Sequence, residues 1–225
     1  MCGRFSFNAS KEKIQQELGE VETGVNLRIN YNIAPTQHAY VITNTHPNRL
    51  QYLTWGLIPY WSRDGQNSGK LINARSEGIA SKPSFRLPIR QKRCLVLADS
   101  FYEWRRELDR KVPYRIKMKD DKLVVMAGIW DVWYKGDYAI RSFSIITAPP
   151  NKEMASIHSR MPVLFKDKTS QDAWLAESNL EDILEMLKTP EDDILTMYRV
   201  SENVNSVKNN SPDLHREVPE PPTLF

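Results

Sequence analysis

A cysteine stands directly behind the leading methionine in Met1-Cys2-Gly3-Arg4-Phe5, and that placement determines the chemistry open to it. A small residue in second position permits removal of the initiator, so loss of Met1 is expected. Cys2 would then carry a free α-amine and a thiol on one residue. The amine, ordinarily titrating near ~7.7–8.0, is partly neutral at pH 7, and the thiol, near ~8.5, is a few per cent thiolate. An aldehyde meeting this pair condenses with the amine to a Schiff base. The neighbouring sulfur then closes a five-membered thiazolidine, an intramolecular step of high effective molarity. Covalent capture of an aldehyde is therefore the candidate chemistry. For a cysteine taken alone, a small buried hydrophobe is the ordinary alternative.

Three further polar segments sit inside apolar sequence. LINARSEG places Asn73 and Arg75 just after Leu71-Ile72. DSFYEWRRE sets Glu103 between Tyr102 and Trp104. SIHSRMPVLF puts His158 and Arg160 between a helical segment and an apolar run. A carboxylate enclosed by aromatics is the kind that desolvation turns into a general acid/base near neutrality. A histidine at a helix–strand junction is well placed for proton transfer. Singly, each has an ordinary structural reading: Glu103 paired with an arginine, His158 capping a helix, Asn73 bonding a loop.

These residues need elements to hold them. Ser10 as cap, Ile14 and Leu18 on one face and Gly19 as stop predict a short helix in SKEKIQQELG. AYVIT, LQYLTWGLI, KRCLVLAD, YRIKMK, LVVMAGIW, RSFSIIT and LTMYRVS are rich in β-branched and aromatic residues and predict strands. NYNIAPTQ reads as irregular, and a polar loop from Pro59 to Gly69 carries Tyr60 and Trp61. Further helices are expected in NKEMASIH, SQDAWLAE and NLEDILEMLK, the last capped by Asn179. Strands do not alternate regularly with helices, which argues against a doubly wound parallel sheet. The expected class is α+β: a curved, mostly antiparallel β-sheet or pseudo-barrel with peripheral helices, as one domain over residues 1–225.

Composition excludes several classes. With 225 residues, 40% hydrophobic and 26% charged, the chain has the balance of a soluble protein able to bury a core. No apolar run approaches the ~20 residues of a membrane span, and no basic-then-apolar leader is present, so a cytoplasmic location is expected. Two cysteines, Cys2 and Cys94, suit a reducing compartment. The four histidines, His38, His46, His158 and His215, do not fall into zinc-ligand spacing, and no glycine-rich phosphate loop occurs. Neither metal nor nucleotide cofactor is expected. The net charge of +3 is mild, but Arg86, Arg90, Lys92 and Arg93 cluster in RLPIRQKRC, which suits a face for phosphates or simply a solvated basic one.

Cys2-Gly3-Arg4-Phe5, Tyr31-Asn32-Ile33-Ala34-Pro35-Thr36, Trp55-Gly56-Leu57-Ile58-Pro59, Asn73-Ala74-Arg75-Ser76-Glu77, Phe101-Tyr102-Glu103-Trp104 and His158-Ser159-Arg160-Met161-Pro162 follow one another in this order. The series resembles the SOS response-associated peptidase family, also called abasic-site processing proteins. Ala127-Gly128-Ile129-Trp130 and Val204-Asn205 extend the likeness over nearly the whole chain. The resemblance implies a metal-free protein that traps abasic sites in single-stranded DNA by joining Cys2 to the open sugar aldehyde. By motif, Cys2 is the nucleophile, Asn73 positions sugar and cysteine, Glu103 moves protons, and His158 assists ring opening and reversal. Arg4, Arg75 and Arg160 resemble positions near phosphates. Self-processing peptidase and abasic-site lyase activities are implied as well, and a monomer is expected. The tract reads HSRMP where many relatives carry aspartate at Ser159, which bears on how His158 is oriented. Bases beside the lesion need stacking partners; Trp61, Tyr60 and Tyr31 are the candidates, with core packing equally open to Tyr31.

Two other readings remain open at this point. Class II glutamine amidotransferases also begin Met-Cys-Gly, but here Arg4-Phe5 follows in place of an aliphatic residue and glycine. A non-catalytic single-strand DNA-binding module would leave Cys2 inert.

Overall fold

The computed structural model describes residues 2–24, 26–66, 69–108 and 110–219. In chain order the elements are β1 Phe5–Phe7, α1 Lys11–Leu18, β2 Asn30–Ile33, β3 His38–Thr43, β4 His46–Trp55, β5 Asn73–Arg75, α2 Pro88–Gln91, β6 Arg93–Ala98, β7 Ser100–Glu107, β8 Arg110–Met118, β9 Val124–Lys135, β10 Tyr138–Ala148, α3 Lys152–Ala155, β11 Met161–Pro162, α4 Lys168–Leu175, α5 Leu180–Glu185 and β12 Leu195–Arg199. Short helical turns at Glu202–Asn205 and Pro212–His215 follow.

Two sheets build the molecule. Strands β9, β6, β3, β4 and β10 pair in that order, and β10 pairs back with β9, closing a five-stranded barrel. Strands β5 and β11 extend it from β10. The second sheet runs β12-β8-β7-β1-β2. Strand pairings are antiparallel except those of β10 with β4 and β5. The expected curved, mostly antiparallel fold with a barrel is what the chain adopts.

Continuous apolar runs explain the barrel. All six residues of β6 and the first ten of β9 are buried, as strands covered on both faces must be. A Cβ on Gly128 would lie 2.8 Å from Cys94 Sγ and 3.1 Å from the Ser144 carbonyl, so only bare backbone fits between β6 and β10 there. Helix α1 forms as predicted, with Ser10 Oγ accepting from Lys13 N and Gly19 ending it at φ 79°. Among the described residues no helix is long and apolar enough to cross a membrane.

Two expectations are corrected. NYNI is not irregular but forms β2, an edge strand; it lacks a two-residue alternation, and its pairing with distant β1 supplies the order. The RLPIRQKRC cluster is not one exposed basic face: Arg86 and Arg90 are exposed, but the other two cations are committed to the protein. Arg93 is only 2% exposed, and its guanidinium donates to the carbonyls of Trp174 (2.9 Å), Ala176 (2.7 Å) and Arg90 (2.7 Å), stitching α2 and α4 to β6. Lys92 pairs with buried Asp131 at 2.6 Å.

The C-terminal segment lies across the second sheet. Val218 N donates to Arg199 O at 3.0 Å, and Asn32 Nδ2 donates to the carbonyls of Ser206 (3.0 Å) and Asn209 (2.8 Å). His215 enters a buried polar network, with Nε2 3.1 Å from Ser6 Oγ and 3.7 Å from Asp99 Oδ2, while Asp99 also accepts from Arg115 at 2.9 Å. Burial, opposed by Asp99 and aided by Arg115, lowers His215 from 6.5 to about 4. Between those pH values the unfolded chain binds more protons, so stability is full above pH 6.5 and falls as acid is added. Urea denaturation should give about 2 kcal/mol less stability at pH 5 than at pH 7 from this group, and His215→Asn should flatten that difference. An equal pH dependence in both proteins would refute the assignment.

Candidate active site

The site forms where β1 ends beside β7. Phe5 pairs with Phe101 and Ser6 with Ser100, and Tyr102 N donates to Arg4 O at 2.9 Å. Continuing that register sets Gly3 opposite Glu103, which brings the start of the chain to the carboxylate. Cys2 is fully buried, with Sγ 4.0 Å from the Arg4 carbonyl. Burial pushes its thiol well above the ordinary range, and the nearby Glu103 carboxylate pushes it further. The expected loss of Met1 concerns a residue outside the described ones.

Asn73 opens β5 in register with Ile145 of β10 and donates from Nδ2 to the Cys2 carbonyl at 2.8 Å. Its Oδ1 is buried and has no hydrogen-bond partner among the described residues. Such an acceptor is expensive to leave unmet and is ready to receive a ligand donor. Glu103 is 3% exposed, in a ladder pair with Tyr114 of β8. His158 lies between α3 and β11, half-buried. Arg160 N donates to its Nδ1 at 3.1 Å, while the Arg160 carbonyl lies 3.3 Å from the same atom. The shorter contact involves an obligatory donor, so Nδ1 is the acceptor and the neutral ring carries its proton on Nε2.

Glu103 and His158 line one open cleft of about 650 Å³, together with Trp104, Ser159 and Asn205. The four residues expected to carry the chemistry are thus gathered: Asn73 bonds Cys2, Glu103 acts on the Cys2 thiol electrostatically, and His158 shares the cleft with Glu103.

The residues expected at DNA differ in their commitments. Arg4 donates to Asn32 Oδ1 (2.7 Å) and Val204 O (2.6 Å), with its guanidinium 5.9 Å from the Trp104 ring. It braces the C-terminal segment against the site. Arg160 makes a two-pronged bond to Glu77 at 3.0 and 2.8 Å and reaches Thr147 O at 2.5 Å. That bond holds the Glu77 carboxyl at about 2. Arg75 is exposed and makes no ion pair among the described residues. Tyr60 and Trp61 are 55% and 52% exposed, on a loop clamped by Ile58 N to Ser142 Oγ, Tyr60 N to Asp131 Oδ2 (each 2.8 Å) and Trp133 Nε1 to Ser62 O (2.7 Å). The loop meets β10 near Ser142, three residues or roughly 10 Å from Asn73's partner Ile145. Tyr31 is half-buried with its ring against His215 at 4.9 Å.

The family model described as SOS response associated peptidase (SRAP) matches residues 1–207. The chain belongs to the SRAP family. The relative named abasic site processing protein YoqW, from Bacillus subtilis (strain 168), is 42% identical over 221 residues, spanning 95% of this chain and 98% of its own. Abasic site processing protein HMCES from Gallus gallus is 32% identical over 190 residues, spanning 73% of this chain and 56% of its own. An X-ray structure of a protein from Bacteroides thetaiotaomicron has a TM-score of 0.86 at 30% identity, covering 96% of this chain and 100% of that one.

The SRAP site also contains residues that sequence reasoning gave no role. Asn205 accepts from Trp104 Nε1 at 2.8 Å and so fixes one wall of the cleft. Arg106, Lys111 and Ile157 line it too. A polar strand end after the aromatic Tyr102-Glu103-Trp104 run was the available signal for Arg106. Lys111 becomes visible only once β8 is paired with β7.

Proposed function

We propose that the protein captures abasic sites in single-stranded DNA through a thiazolidine on Cys2, protecting the lesion during the DNA damage response. The observation that carries this reading is the Asn73 bond to the Cys2 carbonyl beside the Glu103 carboxylate. Nothing in an aliphatic core explains an amide and a carboxylate gathered at a fully buried cysteine. The names of the relatives point to the same lesion.

An abasic deoxyribose rests mostly as a closed hemiacetal. His158, with its proton on Nε2, transfers protons as the ring opens to the aldehyde. The Cys2 amine adds to the carbonyl carbon and water leaves, giving the imine. The thiol, held protonated by its surroundings, gives its proton to Glu103 as sulfur bonds to the imine carbon, and Glu103 passes that proton on to the nitrogen, which ends as a secondary amine. Asn73 holds Cys2 by its carbonyl and offers Oδ1 to the amine or a sugar hydroxyl. Arg75 contacts phosphate, and Tyr60 and Trp61 stack on bases. We read the peptidase of the family description as self-removal of Met1 or a short leader. The same imine gives a route to strand scission, a lyase-type activity. The acting species is taken to be a monomer in a reducing cytoplasm.

A denaturing gel tests the reading. Purified protein with abasic single-stranded DNA should give a heat- and SDS-stable adduct, absent with intact DNA; equal binding to both and no adduct would reduce the protein to a binding module. Intact-mass spectrometry of the same sample should find active protein lighter than the full translation by one methionine. Robust thiazolidine formation by protein retaining Met1 contradicts the mechanism, because an amide nitrogen forms no Schiff base.

A further inference from the structure

Two cations in the cleft have no partner among the described residues. Arg106 on β7 and Lys111 on β8 stand directly across from one another in the ladder, and both are exposed. Side chains so paired hold their Cβ atoms about 4.5–5.5 Å apart, and like charges in that position destabilise a hairpin. The same hairpin shows the ordinary remedy: Glu107 pairs with both Arg105 and Arg110. Arg106 and Lys111 make no ion pair or side-chain hydrogen bond among the described residues. Two-residue alternation puts Arg106 on the same face of β7 as Trp104, and all three line the cleft shared by Glu103 and His158. An unrelieved repulsion maintained at the mouth of a reaction cleft suits an anion that visits it.

We propose that Arg106 and Lys111 form a phosphate clamp for a backbone phosphodiester adjoining the captured lesion. This rests on the reading of the cleft as the site of abasic-DNA capture. The guanidinium supplies a planar pair of donors and the ammonium a compact charge, so together they address the two non-bridging oxygens of one phosphate. Their contribution is binding and register, since neither reaches the reacting carbon in this assignment.

The test compares wild type, Arg106→Gln/Lys111→Gln and Arg110→Gln, the last being an ion-paired arginine of the same hairpin. Affinity for abasic single-stranded DNA is measured across salt concentrations, and crosslinking rate at saturating DNA. The double variant should bind roughly tenfold more weakly at low salt. Its log–log salt slope should be shallower by about 0.7 for each phosphate it no longer neutralises, with the saturated crosslinking rate near wild type. Arg110→Gln should match wild type. Replacing the phosphodiester on one side of the abasic site by a methylphosphonate should weaken wild type and leave the double variant unchanged. Wild-type affinity and salt slope in the double variant, or an equal loss in Arg110→Gln, would overturn the clamp. Absence of any adduct from wild type would sink the capture reading itself, and the gel distinguishes that result from the binding data.

Discussion

Cys2→Ala is expected to lose the heat- and SDS-stable adduct altogether. Ring closure by a neighbouring sulfur draws on effective molarities on the order of 10⁵–10⁸ M, and alanine has nothing to close with. The variant still has a small second residue, so it keeps a free α-amine after methionine removal and still forms the imine. That imine hydrolyses on denaturation, so borohydride should be needed to make it permanent. Stable adduct should therefore fall by at least roughly a thousandfold, while borohydride-trapped adduct survives. Folding is not at issue, because removing one sulfur from the core costs about 1 kcal/mol. A full-strength stable adduct with Cys2→Ala would leave the thiazolidine without its sulfur and end the proposal.

What the sequence made readable follows a physical division. Strands such as KRCLVLAD and LVVMAGIW were visible because barrel strands buried on both faces must be continuously apolar. Strand β2 was not, because an edge strand is specified by its partner, here β1, more than twenty residues earlier. Cys2, Asn73, Glu103 and His158 stood out as reactive types among apolar neighbours. The charged residues were harder to place, since a charge is defined by its partner. Arg93 looked like a surface cation until carbonyls about eighty residues away enclosed it. Arg160 looked available until Glu77 occupied its donors. Arg106 and Lys111 meant nothing separately and gained a meaning from one line of ladder register.

Glu103→Gln should slow crosslinking by about 10²–10⁴-fold, the range for removing a positioned proton-transfer group, with DNA affinity near wild type. The substitution keeps the shape of a nearly buried side chain between Tyr102 and Trp104, so the cleft wall stays in place. In the proposed mechanism it removes the acceptor for the Cys2 proton. That loss matters here because burial and the Glu103 charge itself keep the thiol protonated well above the usual range. Glutamine will ease the thiol downward by deleting the carboxylate, yet desolvation is the larger cause and persists. The net result is a slower ring closure, visible as imine accumulating ahead of stable adduct in borohydride-quenched time courses. Arg75→Ala should behave oppositely, weakening binding with a shallower salt dependence and leaving the saturated rate alone. If Glu103→Gln instead bound weakly and crosslinked at the wild-type rate once saturated, Glu103 would be a contact to DNA. The proton-transfer role would then have to move to another group of the cleft.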